Sequence, residues 1–314
     1  MPVLVRRIAM LKGIVLRSSG GVYDVETAEG VREAVLRGRI KREERVGDRV
    51  VVGDRVEIES EGADSEQWTI ERVEERQSAL VRRAPGKAPR AKVIVANIDR
   101  VVIVFAVTHP APHLRMLDRF LVLCESSGLD AMIVANKTDL IGSDAARNLF
   151  SVYEKVGYPV LYTSIKSGQG IEELREVLCN GISTLTGPSG VGKSSLLNVV
   201  HPGLGLRVGG VSETIHKGRH TTVTAELIHL GCGGYVADTP GLRELGLWDV
   251  DLDELDLYFP EFEPYLGRCR YANSCTHSHE PGCAVRDAIE AGRISRSRFD
   301  SYLRLLAGDE EEDG

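Results

Sequence analysis

The sequence predicts an α/β protein in three parts: an N-terminal OB-type β-barrel, a central doubly wound α/β domain, and a small helical C-terminal domain. Three patterns carry this. Residues 1–83 alternate apolar and polar side chains in short runs broken by Gly and Asp. From residue 97 the runs become near-continuous apolar strands separated by helical periodicity. After residue 246 the pattern turns helical around a cluster of Cys and His.

In residues 1–83, Val50 and Val52 alternate with Val56 and Ile58 on either side of Gly53-Asp54, which predicts a hairpin. Gly20-Gly21 turns into Val22-Tyr23, and Trp68-Thr69-Ile70 adds a further strand. A five-stranded barrel of the OB type suits such a pattern, although other small barrels share it. Residues 84–96, opening on Pro, Gly and basic side chains, read as a linker. In residues 97–245, Val101–Val107 has the continuous apolar character of a buried central strand. Leu117, Phe120, Leu121 and Cys124 follow at helical spacing. Strand Ala131–Ala135, helix 144–156, strand 159–163, helix 171–179, strand 182–186, helix Lys193–Val200 and strand Gly234–Ala237 complete the domain. Residues 246–308 begin with an acidic helix near 251–259 and end in one that places Phe299, Tyr302, Leu303 and Leu306 on one face. Residues 309–314 form an acidic tail.

A chain of 314 residues suits two or three domains. No apolar run approaches the ~18 residues that would span a bilayer. Lys12 interrupts the apolar stretch after Arg6 and Arg7, which argues against a secretory leader, so a cytoplasmic protein with no membrane association is expected. The net charge is −7, but residues 246–314 alone carry −9, so the rest is slightly basic and nucleic acid is not excluded as a partner. Arg37, Arg39, Lys41, Arg42 and Arg45 cluster near one barrel loop, followed by Arg82, Arg83, Lys87 and Arg90. Few aromatics accompany them, which favours backbone contact with folded RNA over reading of single strands. Nothing in the sequence requires more than a monomer.

The chemistry lies in four segments. Gly187-Pro188-Ser189-Gly190-Val191-Gly192-Lys193-Ser194 matches the phosphate-loop pattern between a strand and a helix, with Ser195 following. Its glycines let backbone N–H groups turn toward phosphates, Lys193 reaches the β- and γ-phosphates, and the Ser194 hydroxyl suits Mg²⁺. Asn136-Lys137-Thr138-Asp139 selects the base. One carboxylate, Asp139, can accept from both N1–H and the 2-amino group of guanine, a pair that adenine lacks. Thr163-Ser164-Ile165-Lys166 suits support of the base, with Ile165 where Ala is usual. Asp238-Thr239-Pro240-Gly241 ends a strand, where Asp238 would hold Mg²⁺ through water and Gly241 N–H would meet the γ-phosphate. Between these, Gly218-Arg219-His220-Thr221-Thr222 supplies a second Mg²⁺ hydroxyl from Thr221 or Thr222. Many GTPases carry a water-orienting Gln just after the Asp-x-x-Gly segment. Leu242 stands there, so His220 is the candidate catalytic group beside Lys193.

The order is unusual. The base segments precede the phosphate loop, so the central domain reads as a circularly permuted P-loop GTPase, with its γ-phosphate segment joined directly to the C-terminal domain.

Cys269-x₅-Cys275-x-His277-x₅-Cys283 supplies three thiols and one imidazole, the donor set of one closed structural Zn²⁺ site. His279 is a spare imidazole, which the spacing disfavours. Cys124, Cys179 and Cys232 lie in apolar surroundings and read as small buried residues.

With barrel, permuted motifs and Cys/His knuckle in this order, the chain resembles the small ribosomal subunit biogenesis GTPase family RsgA (YjeQ/EngC) over essentially its whole length. The resemblance rests on Gly-Pro-Ser-Gly-Val-Gly-Lys-Ser-Ser, Gly-Arg-His-Thr-Thr and Asp-Thr-Pro-Gly together with the knuckle. It implies a slow GTPase that cycles between GTP and GDP and is stimulated by the 30S subunit late in its assembly. It also implies that barrel and zinc domain contact 16S rRNA, and that a histidine like His220 replaces the glutamine. A passive RNA-binding scaffold with structural GTP, or a switch for a non-ribosomal partner, are the alternatives.

Overall fold

In the computed structural model, the described residues are 9–37, 50–60, 67–83, 91–205, 225–238 and 250–308. Strands Ala9–Ser19 (β1), Val22–Thr27 (β2), Gly30–Leu36 (β3), Arg55–Ser60 (β4) and Trp68–Val73 (β5) pair in the order β1-β2-β3-β5-β4. β4 then returns to β1, which closes the expected five-stranded OB-type barrel around Val15, Val25, Val56, Ile58 and Ile70. Closure leaves every strand paired on both sides.

The hairpin expected at Gly53-Asp54 needs correction. Residues 50–54 form no strand, and only Val52 bridges, to Val95. The cause is Asp54, whose wholly buried carboxylate accepts from Val51 N at 2.8 Å and from Arg76 Nε at 2.7 Å. A backbone N–H taken by a side chain is lost to the ladder. The linker reading is corrected as well. Residues 91–96 are a strand, Ala91–Ala96 (β7), paired with Ala79–Arg83 (β6). Ala96 N donates to Val52 O at 2.9 Å and Asn97 Nδ2 to Gly53 O at 2.9 Å, so this hairpin braces the barrel against the next domain.

The central sheet follows the order β10-β9-β8-β11-β13-β12. Its strands are Arg100–Ala106 (β8), Ala131–Asn136 (β9), Val160–Thr163 (β10), Ile182–Thr186 (β11), Glu226–His229 (β12) and Tyr235–Asp238 (β13). All pair in parallel except β12, which runs antiparallel to β13. β8 shows why the sheet has two covered faces. Val101, Ile103 and Phe105 pack with Leu117 and Leu121 of helix Leu114–Ser126 (α1) and Phe150 of Ser143–Val156 (α2). Val102, Val104 and Ala106 face the other way, toward Leu174 of Ile171–Leu178 (α3) and Leu196 of Lys193–Val200 (α4). The chain steps outward from β8 to β10 and then returns to β11 on the opposite side of β8. That reversal opens a crevice at the carboxyl ends of the strands.

Barrel and central sheet are continuous, because β1 pairs with β12 at Arg17↔Glu226. Glu26 of β2 also accepts from Tyr235 Oη at 2.8 Å and lies 3.3 Å from His229 Nδ1. Burial and then the Glu26 carboxylate push the Tyr235 hydroxyl up to about 12, so it stays protonated and donating.

The C-terminal part departs from expectation in its first helix. Residues Leu252–Tyr258 form a 3₁₀ segment, followed by a second at Pro260–Tyr265. Phe259, preceding Pro260, is held extended, so no helix can run on. Helices Ala284–Glu290 (α5) and Arg296–Leu306 (α6) complete the domain. α6 buries Phe299 and Tyr302 as expected, Leu303 and Leu306 pack partly buried against the same cluster, and Leu305 is buried as well. Val122 and Leu123 of α1 belong to the same cluster, so this domain packs on the central one.

A buried ion-pair network crosses that interface. Arg298 Nη1 donates to Asp118 Oδ1 on α1 at 2.7 Å, and its Nε donates to Glu261 Oε1 at 2.7 Å. Its guanidinium also lies 4.6 Å from the Phe259 ring centroid, and Ser301 Oγ donates to Asp118.

The cysteines bring another correction. Cys124 is buried, but Cys179 and Cys232 are joined as a disulfide, with Cα atoms 5.4 Å apart. They link the end of α3 to the exposed turn between β12 and β13. Their separation of 53 residues hides this adjacency. Among the described residues, no helix is long and apolar enough to cross a membrane.

Arg298→Ala leaves Asp118 and Glu261 buried without their cation. The expected cost is about 3–5 kcal/mol, read as a lower guanidinium midpoint for the C-terminal domain. Arg298→Lys, which lacks the planar fork, should recover only part of it.

Candidate nucleotide site and metal centre

Four parallel strands deliver the predicted segments to one edge. β9 ends at Asn136, β10 at Thr163, β11 at Thr186 before the phosphate loop, and β13 at Asp238. Register places Thr163 beside Asn136, Ala106 beside Asn136, and Thr186 beside Ile103. The base segments therefore lie on one side of the crevice and the phosphate segments on the other.

Side chains then tie the two halves together. Asn136 is buried and donates from Nδ2 to Val191 O at 2.8 Å, while its Oδ1 accepts from Thr163 Oγ1 at 3.1 Å. Lys137 has a positive φ of 67°, which turns its stem under the phosphate loop. Its Nζ donates to Gly190 O at 2.7 Å and also to His109 O. Gly192 makes this approach possible. It sits at φ +102°, and a Cβ there would lie 2.5 Å from Asn136 Nδ2. At Gly187 (φ +127°) a Cβ would meet Val104 O at 2.1 Å, so the loop must leave β11 on glycine.

Lys193 opens α4, and its Nζ donates to Gly187 O at 2.7 Å and Pro188 O at 2.6 Å. Ser189 and Gly190 are exposed at the loop's crest, whereas Val191 is buried in the core beneath. Ser194 and Ser195 occupy the first turn of α4, half-buried. On the base side, Ser164 is buried and donates to Asp139 Oδ1 at 2.6 Å. This fixes one carboxylate oxygen of an otherwise exposed Asp139. Ile165 and Lys166 are exposed beside it, offering an apolar surface and an alkyl stem to a planar base. Thr138 is 1% exposed, and its hydroxyl donates to Gln169 Oε1 at 2.9 Å and lies 3.2 Å from Thr163 O, so it braces the loop from within. Asp238 ends β13, exposed, on the phosphate side.

His220, Thr221, Thr222, Gly241 and Leu242 lie outside the described residues. So do Arg39, Lys41, Arg42, Arg45, Lys87, Arg90 and the acidic tail. Arg37 is described, and it is committed to acids, pairing with Glu71 and lying 3.7 Å from Glu59.

The second site is the knuckle. Cys269, Cys275, His277 and Cys283 are all buried, and one donor atom from each lies within 4.8 Å of the others. His277 Nδ1 is 3.3 Å from Cys283 Sγ and 3.5 Å from Cys269 Sγ, so Nδ1 is the ligating nitrogen. Its Nε2 lies 3.3 Å from Asp256 Oδ2, a carboxylate that fixes ring and tautomer. His279 stays exposed, outside the cluster. Three thiols and an imidazole at this spacing fit a tetrahedral Zn²⁺. Burial pushes the Cys275 thiol up to about 12 and raises Cys283, so a divalent cation is what would make thiolates of them. Glu280 shapes the intervening loop by accepting from Thr276 N at 2.9 Å and Thr276 Oγ1 at 2.6 Å. Burial opposes its charge, but these hydrogen bonds win and hold it at about 2.

Sequence reasoning missed Gln169, His109 and Asp256 as partners, because each reaches its partner from a segment distant in sequence.

Comparison with known proteins agrees with this geometry. The family model "RsgA GTPase" matches residues 73–248, and "RsgA N-terminal domain" matches residues 12–66. The chain is 49% identical over 294 residues to the small ribosomal subunit biogenesis GTPase RsgA of Gemmatimonas aurantiaca, covering 93% of this chain and 95% of that protein. It is 47% identical over 297 residues to the RsgA of Moorella thermoacetica, covering 95% and 97%. The crystal structure of YjeQ from Thermotoga maritima superposes with a TM-score of 0.77 at 38% identity, covering 96% of this chain and 98% of that one. YloQ, described as a circularly permuted GTPase, gives 0.74 at 27% identity, covering 98% and 97%.

Two outcomes follow. Asp139→Asn turns one acceptor into a donor and should weaken GTP by about 2–4 kcal/mol, roughly 100-fold. It should favour the xanthine nucleotide, and competition binding of the two nucleotides checks this. Chelation of zinc should unfold residues 250–308. Glu280 contributes stability above about pH 4.5 that is lost only as pH falls toward 2. Chelation at pH 7, followed by metal analysis and circular dichroism, therefore reports the ligands and not Glu280.

Proposed function

The chain belongs to the RsgA GTPase family, whose members hydrolyse GTP, and we propose that it acts as a 30S-stimulated timing switch in late maturation of the small ribosomal subunit. The observation that carries the reading is the hydrogen-bonded junction of Asn136 and Lys137 with Val191 and Gly190. A base reader and a phosphate loop locked edge to edge can hold one guanine nucleotide across both.

In this reading Asp139 pairs with guanine N1–H and the 2-amino group, Ser164 orients that carboxylate, and Ile165 with the Lys166 stem flanks the ring. Asn136, Lys137 and Thr138 hold the loop's shape. Backbone N–H groups from Gly187, Pro188's successor Ser189, Gly190, Val191 and Gly192 surround the phosphates, with Ser195 alongside. Lys193 exchanges its carbonyl partners for β- and γ-phosphate oxygens, stabilising the charge that builds as the γ-phosphoryl separates. Ser194, Asp238 through water, and Thr221 or Thr222 would hold Mg²⁺, which would supply further neutralisation of those oxygens. Water attacks the γ-phosphorus in line, the bond to the β–γ bridging oxygen breaks, and GDP and phosphate result. Leu242 can position no water, which leaves that task to His220. The zinc domain and the basic barrel loop would contact 16S rRNA, and the protein would work in the cytoplasm.

The domain boundaries that serve this are a barrel to residue 83, a GTPase domain over 97–245 and a zinc domain over 246–308. The γ-phosphate would be sensed at the end of β13, and hydrolysis would release the protein from the subunit.

GTP turnover measured with and without purified 30S subunits tests the reading. Stimulation is expected, abolished in Lys193→Ala. His220→Ala should bind GTP normally yet turn over about 100-fold more slowly. Turnover indifferent to the subunit would favour a passive scaffold.

A further inference from the structure

Three strands place one basic and two acidic residues in a single row. Arg17 on β1 stands opposite Glu226 on β12, and Glu226 stands opposite Asp238 on β13. Both pairings are antiparallel, so opposed side chains leave the same face with Cβ atoms ~4.5–5.5 Å apart. Arg17 Nη2 lies 2.5 Å from Glu226 Oε1. The cation comes from the barrel, and the row ends at the aspartate that closes the phosphate side of the crevice.

Glu226 has no place in nucleotide binding, yet it puts a second carboxylate beside Asp238. Like charges directly opposite on neighbouring strands repel. The repulsion would turn Asp238 away from the geometry it needs, and a bare Glu226 would offer the divalent cation a competing ligand. The hairpin has little freedom to relieve this, because Glu26 of the barrel clasps its other end through Tyr235 and His229.

We propose that Arg17 is a positioning residue for GTP hydrolysis: paired with Glu226, it keeps that carboxylate from repelling Asp238 and from competing for the divalent cation. The barrel thereby completes the γ-phosphate end of the site. This rests on the reading of Asp238 given above.

The pair's sign pattern separates this role from simple tethering of barrel to sheet. Full-length wild type, Arg17→Gln, Glu226→Gln and the double variant are compared for the Mg²⁺ concentration that half-saturates binding of a fluorescent non-hydrolysable GTP analogue. Arg17→Gln should raise that concentration about two- to fivefold and slow turnover at limiting Mg²⁺ in proportion. Glu226→Gln alone should leave it unchanged, and the double variant should return to wild type. Arg17→Lys, which keeps the charge, should also match wild type. A tether predicts the opposite pattern, with Arg17→Gln and Glu226→Gln equally impaired and the double variant no better; that result overturns the proposal. Should Arg17→Gln not fold, a rise of more than twofold in Glu226→Gln alone overturns it equally. If wild type itself shows no Mg²⁺-dependent analogue binding, the site reading fails and takes this proposal with it.

Discussion

The buried amide of Asn136 is the contact on which the site depends. It ends one strand, donates to the phosphate loop at Val191 O, and accepts from Thr163 on the next strand. One side chain thus fixes three segments that are far apart in sequence. A buried amide left half-paired would cost about 1–3 kcal/mol, so the arrangement is specified as a unit. Gly192 follows from the same constraint, since any side chain there would displace the amide.

Around this junction the molecule distributes its rigidity unevenly. The barrel is fastened to the central sheet at both ends of the β12–β13 hairpin, by Arg17 and by Glu26. The C-terminal domain is fastened to α1 through Arg298, Asp118 and an apolar cluster. α1 itself follows the β8 loop that carries His109, whose carbonyl receives Lys137. Both flanking domains therefore meet the central domain through packed elements, and the C-terminal one also follows β13 in the chain.

Permutation is compatible with this because a doubly wound sheet places function by strand end, not by chain order. β9, β10, β11 and β13 all present their carboxyl ends to one edge, and the reversal between β8 and β11 opens the crevice there. Rejoining the chain elsewhere leaves those ends where they were. It changes only which element follows the γ-phosphate segment, and here that element is a domain held by its own Cys/His cluster.

Much of this was legible in the residues themselves. Phosphate loop, base reader and knuckle are local patterns, and β8, β11 and α4 follow from periodicity because each buries its side chains at a fixed spacing. What sequence could not show depends on non-local pairing. Val50–Val52 alternates like a strand, but Asp54 takes the Val51 amide. Residues 91–96 resemble the end of a linker until β6 pairs with them. Cys179 and Cys232 look unrelated until the turn after β12 meets the end of α3. The row from Arg17 to Asp238 exists only through the register of three strands drawn from two domains. Local chemistry named the ligands of the site; tertiary register decided their neighbours, because opposition across a sheet depends on which strands pair and not on how far apart they lie along the chain.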